Sequence, residues 1–278
     1  MSRNWLITGA SRGFGREFTR AALRRGDRVA GAARDISTLD QLVAEHPATF
    51  VPYALDVTDG AAVVATVRDA EARLGGLDIA VNNAGYGHFG AVEELSEADL
   101  RDQLETNVFG ALRVTQALLP GMRDRGSGHI VQISSIGGVG AFANLGAYHA
   151  SKWGLEALSE SLALEVARFG IRVTIVEPGG FDTDWAGPSA RRSDFLEAYE
   201  PMRREAAARR GGHAPGMPAA AAQALLEVVD APEPPLRVLF GAQAPSIVSG
   251  IYERRLAEWR AWEHVAEKAQ GDQQDVRP

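Results

Sequence analysis

The chain of 278 residues contains no cysteine, which excludes disulfide bonds, thiolate metal sites and a cysteine nucleophile. Lysine is scarce as well: Lys152 and Lys268 are the only two, although lysine and arginine together number 29. No run of about 18 consecutive apolar residues occurs, and a transmembrane helix would need one. The sequence therefore predicts neither a disulfide scaffold nor a membrane-spanning segment.

An excess of positive charge is missing too. The 29 lysines and arginines stand against 36 aspartates and glutamates, so the formal charge is −7. This balance disfavours binding to nucleic acid or to an anionic membrane. The apolar run near the N-terminus is too short, and its glycines come too early, for a signal peptide. We therefore expect a cytoplasmic protein that acts on a small molecule.

Short apolar runs alternate with longer amphipathic stretches along the first 180 residues, which is typical of βαβ units. The pattern predicts an α/β fold with a single Rossmann-like domain over residues 1–278, a doubly wound parallel sheet of about seven strands and helices on both faces. Strands are predicted at residues 5–8, 28–33, 49–55, 79–82, 129–133, 172–177 and 236–240. Helices are predicted at residues 14–25, 37–45, 61–74, 97–125, 148–169, 219–229 and 246–268.

The alternation of apolar runs and amphipathic stretches ends after Pro178. Residues 179–218 are rich in glycine, arginine and alanine, and we predict a mobile lid over the substrate there. Residues 246–278 are predicted to form a C-terminal helical tail with a frayed end.

A glycine cluster, TGASRGFG, occupies residues 8–15 between the first predicted strand and helix. Gly9 allows a sharp turn, Gly13 lets a pyrophosphate approach the backbone, and Gly15 permits close helix packing. A tight turn without a ligand is the alternative. The cluster predicts a dinucleotide site made by these glycines together with Ser11, Arg12 and Phe14.

The second predicted strand ends at Ala33–Arg34, where an NAD site would place an acid for the ribose hydroxyls. Arg34 stands there instead, and with Arg12 it supplies guanidinium groups that match a 2′-phosphate. Asp35 follows and would offset part of that charge. We therefore predict NADP(H) in preference to NAD(H), with two ordinary surface arginines as the alternative.

Further motifs follow the later strands: Asn82-Asn83-Ala84-Gly85, Asn107, Ser134-Ser135, the Tyr148 to Lys152 segment YHASK, and Pro178-Gly179. With the glycine cluster, these motifs resemble the short-chain dehydrogenase/reductase family over residues 4–183. The later part of the chain is most similar to members like the 17β-hydroxysteroid dehydrogenases. The resemblance implies an oxidoreductase of carbonyl and alcohol substrates.

Tyr148 and Lys152 are four residues apart on a predicted helix, so their side chains share a face. A phenol has an unperturbed pKa of about 10, and a nearby ammonium stabilises the phenolate. We therefore expect Lys152 to lower the pKa of Tyr148. Tyr148 would then donate a proton in carbonyl reduction and accept one in alcohol oxidation.

The resemblance implies roles for other residues. Ser135 would bind the substrate carbonyl oxygen, with Ser134 as the second choice, and Asn107 would hold a water that links Lys152 to solvent. Lys152 would also bond the nicotinamide ribose. The remaining cofactor contacts would come from Asp56 and Val57 at the adenine, Asn83, Ala84 and Gly85 along the cofactor, and Pro178, Gly179, Phe181 and Thr183 at the nicotinamide.

The substrate side has weaker signals. An apolar pocket for a ketone of moderate size is one interpretation of these side chains, and core or lid packing is the other: Tyr86, Phe89, Ile136, Phe142, Phe181, Trp185 and Tyr199. His88 and His149 are assigned to structure, and no metal is expected. The arginines of residues 189–212 either meet an anionic substrate or form a solvated face.

Two functional classes remain open at this stage. One is an NADP(H)-dependent enzyme, which we expect to be a homodimer or homotetramer packed through the helices at 97–125 and 148–169. The other is a protein that senses NADP(H) and regulates a partner without chemistry. The catalytic set Asn107, Ser135, Tyr148 and Lys152 favours the enzyme, because a sensor would not need it.

Overall fold

The computed structural model describes residues 2–210 and 214–271. Seven parallel strands form its main sheet, in the order β3-β2-β1-β4-β5-β6-β7. The strands are β1 (Asn4–Thr8), β2 (Arg28–Ala33), β3 (Phe50–Ala54), β4 (Ile79–Asn82), β5 (Gly128–Ile133), β6 (Ile171–Pro178) and β7 (Arg237–Phe240). The predicted fold class and all seven predicted strands are confirmed.

The strand order reverses between β1 and β4, because β2 and β3 lie on one side of β1 and the later strands lie on the other. In open parallel sheets a ligand crevice forms at this switch point, outside the carboxyl ends of the strands. The loops that follow β1 and β4 therefore meet at the expected site.

The helices are α1 (Gly13–Arg24), α2 (Asp40–Glu45), α3 (Gly60–Leu74), α4 (Glu97–Leu104), α5 (Ala111–Arg125), α6 (Gly146–Val166), α7 (Glu200–Arg210), α8 (Pro218–Asp230), α9 (Ala244–Ala261) and α10 (Glu263–Gln270). Two hydrophobic clusters cover the two faces of the sheet. Phe18 of α1 and Leu225 of α8 belong to one cluster, and Val67 of α3 and Leu118 of α5 belong to the other. The sheet is thus buried on both sides, as parallel sheets require.

Two predicted helices are divided. A π-helical turn, Glu105–Gly110, separates α4 from α5 within the helix predicted over 97–125. The prediction of one continuous tail helix over 246–268 was wrong, because two helices, α9 and α10, meet at Trp262. Neither proline nor glycine marks that break, so the sequence carried no signal for it.

The segment predicted as a lid, residues 179–218, contains a helix that the sequence did not predict, α7. The same segment also contains a two-residue strand, Arg191–Arg192, which pairs with His88–Phe89. We call residues 179–218 the lid segment. Residues 211–213 of the predicted lid and 272–278 of the predicted tail lie outside the described residues. None of the described helices combines the length and apolar character needed to cross a membrane.

Candidate active site

The turn between β1 and α1 has a backbone that favours glycine. Gly9 has φ +67° and Gly13 has φ +52°, in the left-handed region. A Cβ atom at Gly15 would collide with the carbonyl oxygen of Gly9. The N-cap residue Arg12 provides no side-chain cap, so the first N–H groups of α1 remain free to bind an anion. The turn fits the pyrophosphate of a dinucleotide.

The loop after β4 is joined to this turn by hydrogen bonds. The hydroxyl of Thr8 accepts from the backbone N–H groups of Asn83 at 3.0 Å and Ala84 at 3.1 Å. The Asn83 amide donates to the carbonyl oxygens of Thr8 at 3.0 Å and Gly9 at 3.2 Å. These bonds fix both walls of the crevice at the switch point. The role of Thr8 was missed in the sequence, where only its place at a strand end marks it.

Asn107 lies in the π-helical turn and is only 1% exposed. Its amide donates to the carbonyl of Tyr86 and to the Ser151 hydroxyl, both at 3.0 Å, and its side-chain oxygen accepts from the Tyr86 N–H at 3.1 Å. A Cβ at Gly85 would approach that oxygen to 3.0 Å. The Asn107 side chain therefore anchors the loop after β4, and its role in holding a water stays a prediction.

The carboxyl end of β2 carries the exposed Arg34. Asp35 accepts hydrogen bonds from the N–H and hydroxyl of Ser37, so its carboxylate caps the next turn. Burial alone would raise the pKa of Asp56, but hydrogen bonds from Thr58 and the charge of Arg34 outweigh burial and lower it. Asp35, the acid that follows Arg34 in the chain, is therefore engaged with Ser37 and does not pair with Arg34.

Tyr148 and Lys152 occupy one face of α6, as their spacing predicted. The Lys152 Nζ atom lies 5.8 Å from the centroid of the Tyr148 ring and donates to the carbonyl of Ile133 at 2.7 Å. Burial raises the pKa of Tyr148 to about 12, with a smaller opposite effect from the Ser135 hydroxyl. Burial also lowers the pKa of Lys152 to about 8. The expected lowering of the Tyr148 pKa by Lys152 is therefore not found, because desolvation dominates.

The two serines after β5 face different surroundings. The Ser135 hydroxyl accepts from the N–H of Gly137 at 3.0 Å and lies beside the Tyr148 phenol, where it acts to lower the Tyr148 pKa against the larger effect of burial. Ser134 is buried on the other side, where a Cβ at Gly138 would meet both the Ser134 hydroxyl and Glu156. The structure brings Ser135 to Tyr148 and leaves Ser134 away from it.

The segment after β6 completes the groove opposite the glycine turn. The Gly179 N–H donates to the carbonyl of Phe240 at 2.9 Å, which holds the chain at the end of Pro178. Thr183 comes within 3.6 Å of a Cβ built at Gly13. These residues therefore lie across the groove from the turn.

Three predicted cofactor residues are used in packing. The Phe181 ring contacts Phe14 edge-on with ring centroids 4.9 Å apart, and both pack against the hydrophobic cluster under α1. Val57 is buried and would touch a Cβ at Gly110 of the π-helical turn. Their side chains are parts of the scaffold, so any contact they make with a cofactor would use backbone atoms.

Trp185 of the lid segment covers the Tyr148 ring. The two ring centroids are 4.9 Å apart, and Phe89 packs on the other side of Trp185 at 5.2 Å. A Cβ at Gly87 would lie 2.6 Å from the indole, so glycine makes room for it. These aromatic side chains form an apolar wall beside the Tyr148 hydroxyl.

The other predicted pocket residues are arranged less directly. Ile136 is half-buried in the turn after Ser135, and Phe142 is exposed at the rim. The Arg191 guanidinium stacks on the Tyr86 ring at 4.9 Å. The Tyr199 hydroxyl donates to Glu93 at 2.5 Å, which ties it to the outer rim.

Three arginines of the lid segment form ion pairs within the described part of the protein. Arg191 binds Asp102 at 2.6 Å, Arg203 binds Glu94 at 2.9 Å, and Arg204 binds Glu200 at 3.2 Å. The Glu94 side chain is fully buried, and it also accepts from the Leu196 N–H at 2.7 Å. The anchoring role of Glu94 was missed because nothing local in the sequence marks it. The observed pairing favours a structural role for these arginines.

Both histidines near the site are held in structural contacts. Nδ1 of His149 accepts from the N–H of Phe142 at 3.3 Å, and burial lowers the pKa of His149 to about 4. Nε2 of His88 lies 2.9 Å from the Ser193 hydroxyl. Across residues 2–210 and 214–271, no three histidines or acids form a group that could hold a metal ion.

Comparison with known proteins places this site in a family. The short chain dehydrogenase family matches residues 3–194. Oxidoreductase BOA17 of Botryotinia fuckeliana is 38% identical over 96% of this chain and 98% of its own length. A short-chain dehydrogenase from Streptomyces avermitilis has a similar crystal structure, with TM-score 0.90, 45% identity, and coverage of 96% of this chain and 98% of that chain.

An alcohol dehydrogenase from the archaeon Thermococcus sibiricus, solved with 5-hydroxy-NADP, is more distant. It has a TM-score of 0.73 and 26% identity, over 86% of this chain and 96% of that chain. The likeness to 17β-hydroxysteroid dehydrogenases within the family stays a prediction. The chain belongs to the short-chain dehydrogenase family and is an NAD(P)-dependent oxidoreductase.

Proposed function

We propose that the protein interconverts a ketone or aldehyde and an alcohol, uses NADP(H) in preference to NAD(H), and employs Tyr148 as the proton donor and acceptor. The observation that carries this proposal is the convergence of the Ser135 hydroxyl, the Tyr148 phenol and the Lys152 ammonium on one wall of the switch-point crevice. The glycine turn, which fits a pyrophosphate, lies at the same crevice.

The residues present fit a dinucleotide along the groove. The N–H groups of α1 and the turn at Gly13 would receive the pyrophosphate, and Arg12 and Arg34 would receive a 2′-phosphate. Asp56 and Val57 would meet the adenine, while Thr183 and Lys152 would hold the nicotinamide end. When bound, the nicotinamide supplies a hydride to the carbonyl carbon in reduction and accepts one in oxidation.

The chain's own groups handle the proton. The phenol of Tyr148 is protonated at neutral pH, so it can donate its proton to a carbonyl oxygen. Ser135 orients that oxygen by a hydrogen bond. In oxidation the same hydroxyls act in reverse, with the alcohol proton passing to a Tyr148 phenolate whose ring centroid lies 5.8 Å from the Lys152 Nζ atom. Trp185 and Phe89 exclude water from one side and favour a largely apolar substrate.

The test is loss of reduced-nicotinamide absorbance with a broad panel of ketones and aldehydes, run with NADPH and NADH in parallel. We expect turnover with NADPH, and Tyr148→Phe should reduce kcat/KM by roughly 10²–10⁴-fold. Tyr252→Phe is the matched control, because it removes the same hydroxyl from half-exposed Tyr252 on α9. Unchanged activity in Tyr148→Phe would overturn the assignment. Cofactor-dependent thermal stabilisation without any turnover would favour the sensor.

The surface of α6 supports a homo-oligomer. Leu158 and Leu164 are 43% and 80% exposed on this helix, and Phe109, at the π-helical turn beside it, is 46% exposed. We propose a homodimer or homotetramer that buries these side chains. Sedimentation of the wild-type protein should show a multiple of the chain mass, and Leu164→Glu should shift it toward the monomer.

A further inference from the structure

A buried group of charges lies one helical turn beyond Lys152. Glu156 follows Lys152 by four residues on α6 and is 4% exposed. Its carboxyl reaches under the turn that follows β5, where a Cβ at Gly138 would lie 2.9 Å from a Glu156 oxygen. Because Lys152 and Glu156 share one face of α6, a buried carboxylate stands behind the buried ammonium.

Glu156 is held from the opposite side by an arginine of the last strand. Arg237 Nε lies 3.3 Å from Glu156 and 3.4 Å from Glu177 of β6, and its Nη2 atom lies 3.1 Å from Glu160. Glu160, Glu177 and Arg237 line a cavity of about 420 Å³. Glu156 and Glu177 are both buried, whereas Glu160 and Arg237 are partly exposed, so solvent screens the Glu156 charge much less than that of Glu160.

We propose that Glu156 is a positioning residue whose buried carboxylate, held by Arg237, stabilises the ammonium form of Lys152 beneath Tyr148. The link to catalysis rests on the proposed function, whereas the coupling between the two charges does not.

The charged and polar groups around Glu156 determine its effect on Lys152. Lys152 and Glu160 face Glu156 from α6, Glu177 faces it from β6 and Arg237 from β7, while Ser134 is the polar neighbour after β5. At close range Lys152 contacts the Tyr148 ring and the Ile133 carbonyl, which are both neutral.

The balance at Lys152 has two opposing contributions. Burial lowers the pKa of Lys152, and the Glu156 charge opposes that lowering. Burial raises the pKa of Glu156, and the Ser134 hydroxyl, Arg237 and Lys152 oppose that rise without cancelling it. Removing the Glu156 charge should therefore lower the pKa of Lys152 further, so that Lys152 loses its proton at a lower pH.

The scarcity of lysine makes this coupling directly measurable. Protein labelled with ¹³C-lysine gives side-chain signals from Lys152 and Lys268 only, and Lys268→Arg identifies which signal is Lys152. Titration of the Lys152 Cε signal then reports its protonation in the full-length protein without substrate or turnover. Two variants are compared, Glu156→Gln and the matched control Glu160→Gln. Glu160 lies one helical turn further along α6 and also pairs with Arg237, so the control removes the same charge from another partner of the same arginine.

We expect Glu156→Gln to move the Lys152 titration to lower pH by roughly one to two units, the interaction expected of charges about 6–12 Å apart at an effective dielectric constant of about 20. Glu160→Gln should leave the titration within about 0.2 units, because exposed charges are screened by water. If Glu156→Gln does not fold, Glu156→Met tests the same shift with an apolar side chain of similar length. A Lys152 titration that stays at the wild-type position, or moves equally in both glutamine variants, would overturn the proposal.

The pH profile of kcat/KM separates this inference from the proposed function. If Lys152 serves Tyr148, the alkaline limb should move to lower pH in Glu156→Gln together with the NMR titration. A shift of the Lys152 signal with an unmoved activity profile would support the charge coupling and overturn the role of Lys152 in turnover.

Discussion

The crevice at the switch point and the lid segment are attached to the protein by different contacts. In the crevice, Thr8, Asn83 and Asn107 are tied by short hydrogen bonds to backbone groups. In the lid segment, Arg191 and Asp102 form an ion pair although each side chain is more than half exposed. Glu94 is the buried exception, since it joins Arg203 and the backbone of the lid segment.

The more firmly held region contains the residues proposed for proton transfer, and the more weakly held region is the segment predicted to cover the substrate. Breaking a buried hydrogen bond leaves an unpaired polar group and costs about 1–3 kcal/mol, whereas an exposed ion pair contributes about 0–1 kcal/mol. The crevice is therefore held in one geometry. The lid segment is held more weakly at its exposed ion pair, although Trp185 rests on the Tyr148 ring.

The largest effect should come from adding one methyl group at Gly15. Gly15→Ala places a Cβ against the Gly9 carbonyl, and backbone cannot move aside cheaply. We expect loss of NADPH binding and a fall of roughly 1–3 kcal/mol in the free energy of unfolding. Gly180→Ala, in the lid segment, is the control because nothing lies within 4 Å of its added Cβ. Calorimetric titration and urea unfolding measure both quantities, and equal effects would remove the contrast.

The next effect concerns the arginine at the end of β2. Arg34→Gln should lower the preference for NADPH over NADH, measured as the ratio of kcat/KM values, by roughly 10–100-fold, which is the size of a charged hydrogen bond. The control is Arg24→Gln on α1, which removes an equally exposed guanidinium. An unchanged ratio would mean that the crevice does not recognise the 2′-phosphate through Arg34.

Acid should weaken the scaffold through His129 of β5. Its Nε2 atom lies 2.9 Å from the Thr174 hydroxyl, and burial lowers its pKa from 6.5 to about 4. Since the depressed pKa favours the neutral form, this stability is present above pH 6.5 and is lost as pH falls from about 6.5 to about 4. The loss is about 1.4 kcal/mol for each pH unit within that window.

Urea unfolding at several pH values checks this prediction. His129→Gln keeps a donor near Thr174 and should flatten the acid slope, while His264→Gln at an exposed position of α10 is the control. A slope that persists in His129→Gln would place the acid sensitivity elsewhere.

The smallest effect is expected in the lid segment. Arg191→Gln breaks the exposed pair with Asp102 and should lower the free energy of unfolding by less than about 1 kcal/mol, with the difference shrinking in high salt. We expect KM for the substrate to change more than kcat, because the pair lies in the lid segment. A large loss of kcat would show that the lid segment is coupled to the proton-transfer residues.

Local patterns were enough to predict the parallel sheet, the glycine turn, and the shared helix face of Tyr148 and Lys152. Each depends on residues close together in the chain: an apolar period, the backbone freedom of glycine, or a spacing of one helical turn. The resemblance to the family followed from the order of such motifs along residues 4–183, and the short chain dehydrogenase family matches residues 3–194.

Other features were decided by contacts between distant parts of the chain. Tertiary packing turned Ser135, and not Ser134, toward Tyr148, and it made desolvation the dominant influence on the Tyr148 pKa. It also placed Phe181 on Phe14 and brought Arg237 to Glu156 across β6. Burial and long-range pairing depend on the whole fold, so no local period in the sequence could have specified them.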